Sequence, residues 1–163
     1  MTAEPDKAGP PADLDGAGLR IGVVRARWNP LIVDRLAAGV RRGLTGLGVA
    51  DADIVEISVP GSFELPMGAR ILASSGRVDA VICLGCVIRG ETSHYELVAG
   101  ESAAGIQHVQ LRTGVPVAFG VLTTEDEAQA LARSEPAGGH NVGEDAATVA
   151  VEMACLAARY PAG

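Results

Sequence analysis

Four short β-branched runs, LRIGVV (19–24), DIVEISV (53–59), VDAVICLG (78–85) and VPVAFGVL (115–122), alternate along the chain with segments of helical periodicity. Each run is apolar at successive positions, the pattern of a strand covered on both faces. The segment after the first run opens with Asn29-Pro30, an N-cap followed by a proline at the first helical position. It then places Val33, Leu36, Val40, Leu44 and Leu47 at spacings of three and four, and stops near Gly46 and Gly48. A second helix is expected over 64–76. A third should open at Ser93-His-Tyr-Glu96, a capping-box pattern, and carry Tyr95, Ala99, Ala103, Ile106 and Val109 on one face. Thr124-Glu-Asp-Glu127 repeats that pattern ahead of a short helix to about Arg133, and an Ala-rich helix should run from Glu144 to Arg159. Strand followed by helix four times implies right-handed crossovers, so the expected fold class is α/β: a three-layer αβα sandwich with a central four-stranded parallel sheet.

Such a sheet, of flavodoxin-like size, binds ligands outside the carboxyl ends of its strands, where the strand order switches. The residues there are Trp28-Asn29, then 60–64 (PGSFE), then 89–94 (RGETSH), then Thr123-Thr124. Of the few aromatic residues, Trp28, Phe63 and Tyr95 fall in or beside these loops and Phe119 late in the fourth strand. That concentration suits stacking on a planar ligand, although the same rings could close the end of the core. Gly90 to Ser93 is a glycine turn feeding a helix N-terminus, which offers free N–H groups to a phosphate. Arg89 and Arg133 are candidate anion partners, each with an ordinary alternative: a structural ion pair for Arg89, a solvated helix-end residue for Arg133. His94, at the start of the third helix, is disfavoured as imidazolium by the helix dipole and is suited to general acid/base chemistry. His108 falls mid-helix and His140 in a glycine loop. Glu64 and Glu96 are also explained as first-turn acids, and Asn29, Ser93 and Thr124 as caps.

The formal charge of −7, with acids and bases interspersed, argues against nucleic acid or a basic membrane anchor as partner. No apolar stretch approaches a membrane span, and residues 1–18 read as a flexible N-terminal arm ahead of a single domain, 19–163. A cytoplasmic location is the expectation. Cys83, Cys86 and Cys155 read as reduced core thiols. Cys83-x-x-Cys86 lies inside a strand rather than at a helix start, which disfavours a redox pair. The scattered histidines suggest no metal site, and neither common nucleotide-binding glycine loop follows the first strand.

From about Leu19 to Arg159 the chain resembles the lumazine synthase family. The likeness rests on Trp28-Asn29, PGSFELP (60–66), GCVIRGETSHYE (85–96), PVAFGVLTT (116–124) and Gln129-Ala130 leading to Arg133. The resemblance implies a transferase of riboflavin biosynthesis. It would condense 5-amino-6-(D-ribitylamino)uracil with 3,4-dihydroxy-2-butanone 4-phosphate to 6,7-dimethyl-8-ribityllumazine, with no metal or organic cofactor. It further implies that Trp28 and Phe63 pack on the heterocycle, and that Ser62, Glu64 and the backbone of Cys86, Val87 and Ile88 bind the pyrimidine and ribityl groups. Glu91 and Thr92 would hold phosphate, Arg133 would close on it, and His94 would move protons. Phe119 and Arg133 would come from a neighbouring subunit of a homopentamer. The chain departs from the family where Gly-Asn-Lys-Gly is usual: it reads Gly139-His140-Asn141-Val142-Gly143, and Ala128 stands where glutamate is common. The missing lysine leaves His140 as a conceivable substitute. It also leaves room for a pentameric relative that binds lumazine or riboflavin and turns over poorly.

Overall fold

The computed structural model of the chain describes residues 7–163. Strands β1 (Ile21–Ala26), β2 (Ile54–Val59), β3 (Ala80–Ile88) and β4 (Val117–Thr124) form one parallel sheet in the order β2-β1-β3-β4. Helices α1 (Pro30–Gly46) and α5 (Val142–Arg159) cover one face, and α2 (Leu65–Ala73) and α3 (His94–Thr113) the other. A short α4 (Glu127–Ala132) follows β4. β3 shows why both faces must be covered: Ala80, Ile82, Leu84 and Cys86 point into the α1/α5 core, while Val81, Cys83 and Val87 point into the α2/α3 core. Among the described residues no helix is long and apolar enough to cross a membrane.

The strands lie where the β-branched runs place them, with shifted ends. β1 continues through Arg25, whose charge interrupts the apolar run. That guanidinium is half-buried and pairs with Glu56 of β2 at 3.1 Å and with Asp34 of α1. β3 and β4 extend together to Ile88 and Thr124, because their ladder continues to that register.

The helix starts differ more. Asn29 occupies the N-cap position of α1, but its side chain does not cap. Its backbone is left-handed (φ 56°, ψ 55°) and its amide donates instead to the Cys86 carbonyl at 2.9 Å. The Ser93/Glu96 capping box is not made. Thr92 Oγ1 accepts from the His94 N–H at 3.3 Å, and Glu96 is drawn to Arg89. Thr124 remains in β4, so the cap of α4 is Asp126, whose carboxylate accepts from the Gln129 N–H at 2.8 Å. α5 begins two residues earlier than expected because Asn141 caps it, accepting from Gly143 and Glu144. The buried Asn141 amide also donates to the carbonyls of Arg35 and Glu135, which pins the start of α5 to α1.

Of the expected arm, residues 1–6 lie outside the described residues. Leu14 packs against the α1/α5 core, the Gly16 N–H donates to the Leu47 carbonyl at 2.7 Å, and the Cys155 thiol donates to the Asp15 carbonyl at 3.4 Å. The last part of the arm therefore rests on its own domain.

Candidate active site

The chain passes from β1 to β2 on one side and then returns past β1 to β3 on the other, so the order switches between β1 and β3. A crevice is expected at that point. The Asn29–Cys86 hydrogen bond joins the carboxyl ends of these two strands. Asparagine tolerates the left-handed conformation better than most residues, and here the long-range hydrogen bond helps to hold it.

Beside this bond lies a cavity of about 490 Å³, a size suited to a small molecule. Trp28 enters from β1. Ser62, Phe63 and Glu64 form a 3-10 turn after β2, and Cys86, Val87 and Ile88 end β3. His94, Leu97 and Val98 supply one face of α3.

Each wall has a local cause. The Trp28 N–H donates to the Pro60 carbonyl at 3.1 Å, and the indole lies so close over Gly61 that a Cβ there would stand 2.3 Å from Cε3. Glu64 reaches back to accept from the Gly61 N–H at 3.0 Å, which fixes the turn that presents Phe63. Ser62 is buried against Gly85, where a Cβ would lie 2.4 Å from its Oγ. Trp28 and Phe63 are 64% and 57% exposed, large apolar surfaces left open at a cavity rim. An imidazole, a serine hydroxyl and a carboxylate share the cavity with them, so a flat ligand with polar edges suits its chemistry.

Not every residue singled out in the sequence gathers here. Glu91 and Thr92 lie on the exposed turn before α3. Phe119 and Arg133 line a second cleft of about 350 Å³ with Lys7, His140, Val142 and Asp145. Arg133 Nη1 donates to the Gln129 carbonyl at 3.0 Å, and His140 Nε2 lies 3.5 Å from an Asp145 carboxylate oxygen. Arg89 takes the structural part: it pairs with Glu96 and with Glu125 at 2.8 Å, and lies 4.3 Å over the Tyr95 ring. These hydrogen bonds, first to Glu96 and then to Glu125, raise the Arg89 pKa, and Arg89 in turn holds Glu96 below the ordinary carboxylate range. Tyr95 is thus covered by a guanidinium rather than open to a ligand.

Cys83 and Cys86 face opposite sides of the sheet, so they cannot act as a dithiol without unfolding β3. Burial pushes the Cys83 thiol far up. Burial, with a contribution from Glu127, pushes Cys86 to about 11. Leu97 and Val98 were not singled out from the sequence as site residues. Their signal was present, since they stand three and four positions after His94 and share its helix face.

A profile of the 6,7-dimethyl-8-ribityllumazine synthase family matches residues 18–158. The chain belongs to this family. The chain is 50% identical to the 6,7-dimethyl-8-ribityllumazine synthase of Paraburkholderia phytofirmans over 145 residues, which cover 89% of this chain and 83% of that one. It is also 50% identical to the enzyme of the same name from Paracidovorax citrulli, over 88% of this chain and 90% of that one. A third of that name, from Burkholderia multivorans, is 50% identical over 144 residues, 88% of this chain and 81% of that protein. The matched stretch thus covers all four strands and the five helices described here, apart from the last residue of α5.

Proposed function

We propose that the chain is a transferase of riboflavin biosynthesis, condensing 5-amino-6-(D-ribitylamino)uracil with 3,4-dihydroxy-2-butanone 4-phosphate to form 6,7-dimethyl-8-ribityllumazine, phosphate and two molecules of water. The observation that carries this reading is the cavity at the β1/β3 switch, where the exposed faces of Trp28 and Phe63 stand beside His94. In it the two rings pack on the pyrimidine. Ser62, Glu64 and the backbone of Cys86, Val87 and Ile88 meet its polar edges and the ribityl chain. The amides of Glu91 and Thr92, with the Thr92 hydroxyl, hold the phosphate.

The amine and the ketone are intrinsically reactive, so the main task is orientation. Ideal alignment can supply up to about 7–11 kcal/mol. His94 relays protons as the carbinolamine loses the first water, as the phosphate leaves and as ring closure by the ribitylamino nitrogen loses the second water, a contribution of about 10²–10⁴-fold. The reaction needs no metal or organic cofactor in this scheme. Phe119 and Arg133 reach the site from a neighbouring subunit of a homopentamer, since in their own chain they line a separate cleft. The enzyme is placed in the cytoplasm.

Appearance of product absorbance on mixing the two substrates tests the proposal. Turnover is expected, falling in His94→Ala by about 10²–10⁴-fold with residual activity left. Absence of turnover in the wild type would overturn the reaction, and equal rates in the two proteins across several pH values would remove His94 from it. Val142 beside Arg133, where the family usually carries lysine, favours a second reading: a relative that binds lumazine or riboflavin and turns over poorly. Tight flavin binding without product formation would decide for it.

A further inference from the structure

Lys7 is the only lysine in the chain. It lines the second cleft together with Arg133, Phe119, His140 and Asp145. Two observations make this more than a surface lysine passing by. The first is the path of the arm. Pro11, Asp13, Leu14 and Asp15 lie against Glu152, Cys155, Leu156 and Arg159 near the end of α5, whereas Lys7 stands beside Asp145, Ala146 and Val149 near its start. The arm therefore runs back along α5. From Cys155 to Asp145 the helix rises about 15 Å, well within the roughly 28 Å that the chain from Asp15 to Lys7 can span. The second is charge. Arg133 spends one guanidinium nitrogen on the Gln129 carbonyl, and among the described residues no carboxylate pairs with it or with Lys7. Among the described residues Asp145 is the one acid lining the cleft, and it faces His140. A protein of formal charge −7 thus presents two cations at one concave spot.

We infer that Lys7 and Arg133 together form an anion site for a phosphate group, with the N-terminal arm supplying half of its charge. This deepens the proposed function, because the phosphate is either that of the butanone substrate or the inorganic phosphate released from it. Arg133 offers a planar fork and Lys7 a point charge, a pairing suited to a tetrahedral dianion. The site would be sensitive to salt, since both cations are solvent-accessible.

The test uses the full chain and its Lys7→Gln and Lys7→Arg variants. Each is titrated with inorganic phosphate by calorimetry at low ionic strength, and KM is measured for both substrates. Lys7→Gln is expected to weaken inorganic phosphate by about tenfold, with Lys7→Arg restoring most of the loss. A matching rise in KM for the phosphorylated substrate alone assigns the site to the substrate's phosphate, and an unchanged KM assigns it to free phosphate. The substitution lies in exposed coil, so the melting temperature should not move. Phosphate affinity equal in Lys7→Gln and wild type would overturn the inference, as would a KM rise shared equally by both substrates. A chain that forms product but ignores Lys7 loses only the anion site. One that forms no product yet binds phosphate through Lys7 loses only the proposed reaction.

Discussion

At the scale of single residues the site depends on what is missing beneath its rings. Trp28 can lie against the backbone of the 60–64 turn only because Gly61 has no Cβ, and Ser62 can tuck under β3 only because Gly85 has none. Neither glycine is there for a left-handed backbone; what each provides is room. Gly61→Ala would place a methyl 2.3 Å from the indole and must tilt the ring out of the cavity wall. The expected result is a three- to tenfold weaker affinity for 6,7-dimethyl-8-ribityllumazine, roughly the loss of one aromatic contact. Quenching of the single tryptophan would report it. Gly100→Ala in α3, where nothing lies within 4 Å, serves as the control and should bind as the wild type does. Binding unchanged by Gly61→Ala would mean that the indole does not pack on the heterocycle. Trp28 and Phe63 were legible in the sequence as cavity residues because rings are rare in it and cluster after strands, but the same pattern also drew in Tyr95, which lies under Arg89, and Phe119, which lines the second cleft. The capping roles given to Asn29, Ser93 and Glu96 did not hold. The Asn29 and Glu96 side chains had better partners, the Cys86 carbonyl and Arg89, and local patterns are blind to such competition.

At the scale of elements, β-branched runs located all four strands. Burial on both faces holds for the inner strands β1 and β3, whereas β2 lies at the sheet edge with Val55, Glu56 and Ser58 exposed, so the expectation that every run is covered on both faces fails there. Strand order was another matter. It arises from crossovers that no local pattern encodes, and it is the order that puts Trp28 and Cys86 on either side of one crevice. The other end of the same strand pair is tied by charge. Asp79, just before β3, accepts from the Arg20 backbone N–H at 2.8 Å and from its guanidinium at 3.2 Å, just before β1. Burial pushes this carboxyl up, but the side-chain and backbone hydrogen bonds from Arg20, with its charge, together bring it below its ordinary value. A carboxyl whose pKa is lower folded than unfolded stabilises the fold above the unfolded pKa of about 3.9, and that contribution disappears as pH falls through the folded value. Asp79→Asn should therefore melt below the wild type at pH 6, and the gap should close as pH drops beneath about 4. Thermal melts over pH 2.5–7 would check it. A gap that stays constant with pH would show that the loss is one of packing and not of charge.

At the scale of the whole molecule, one chain holds two separate cavities of different chemistry. The cavity beside His94 has rings and an imidazole. Of the two cleft cations, Lys7 and Arg133, neither lines that cavity, and Arg89 on its own edge is spent on carboxylates. Sequence patterns group residues by strand end and so could list residues of both cavities. Nothing in a single chain says which copy of each faces which. In the proposed pentamer the cleft of one subunit faces the cavity of the next, so each active site would take His94 from one chain and Arg133 from another. Closed ring symmetry makes that arrangement repeat without leaving an unpaired half. The consequence is measurable with two inactive proteins. His94→Ala subunits co-assembled at equal amounts with Arg133→Ala subunits would join an intact cavity to an intact cleft at about a quarter of the interfaces, by random pairing. Activity near that fraction of the wild type is expected after co-refolding, while each variant assembled alone stays low. No recovery in the mixture, with the assembly confirmed by light scattering, would place both residues in a site built by one chain.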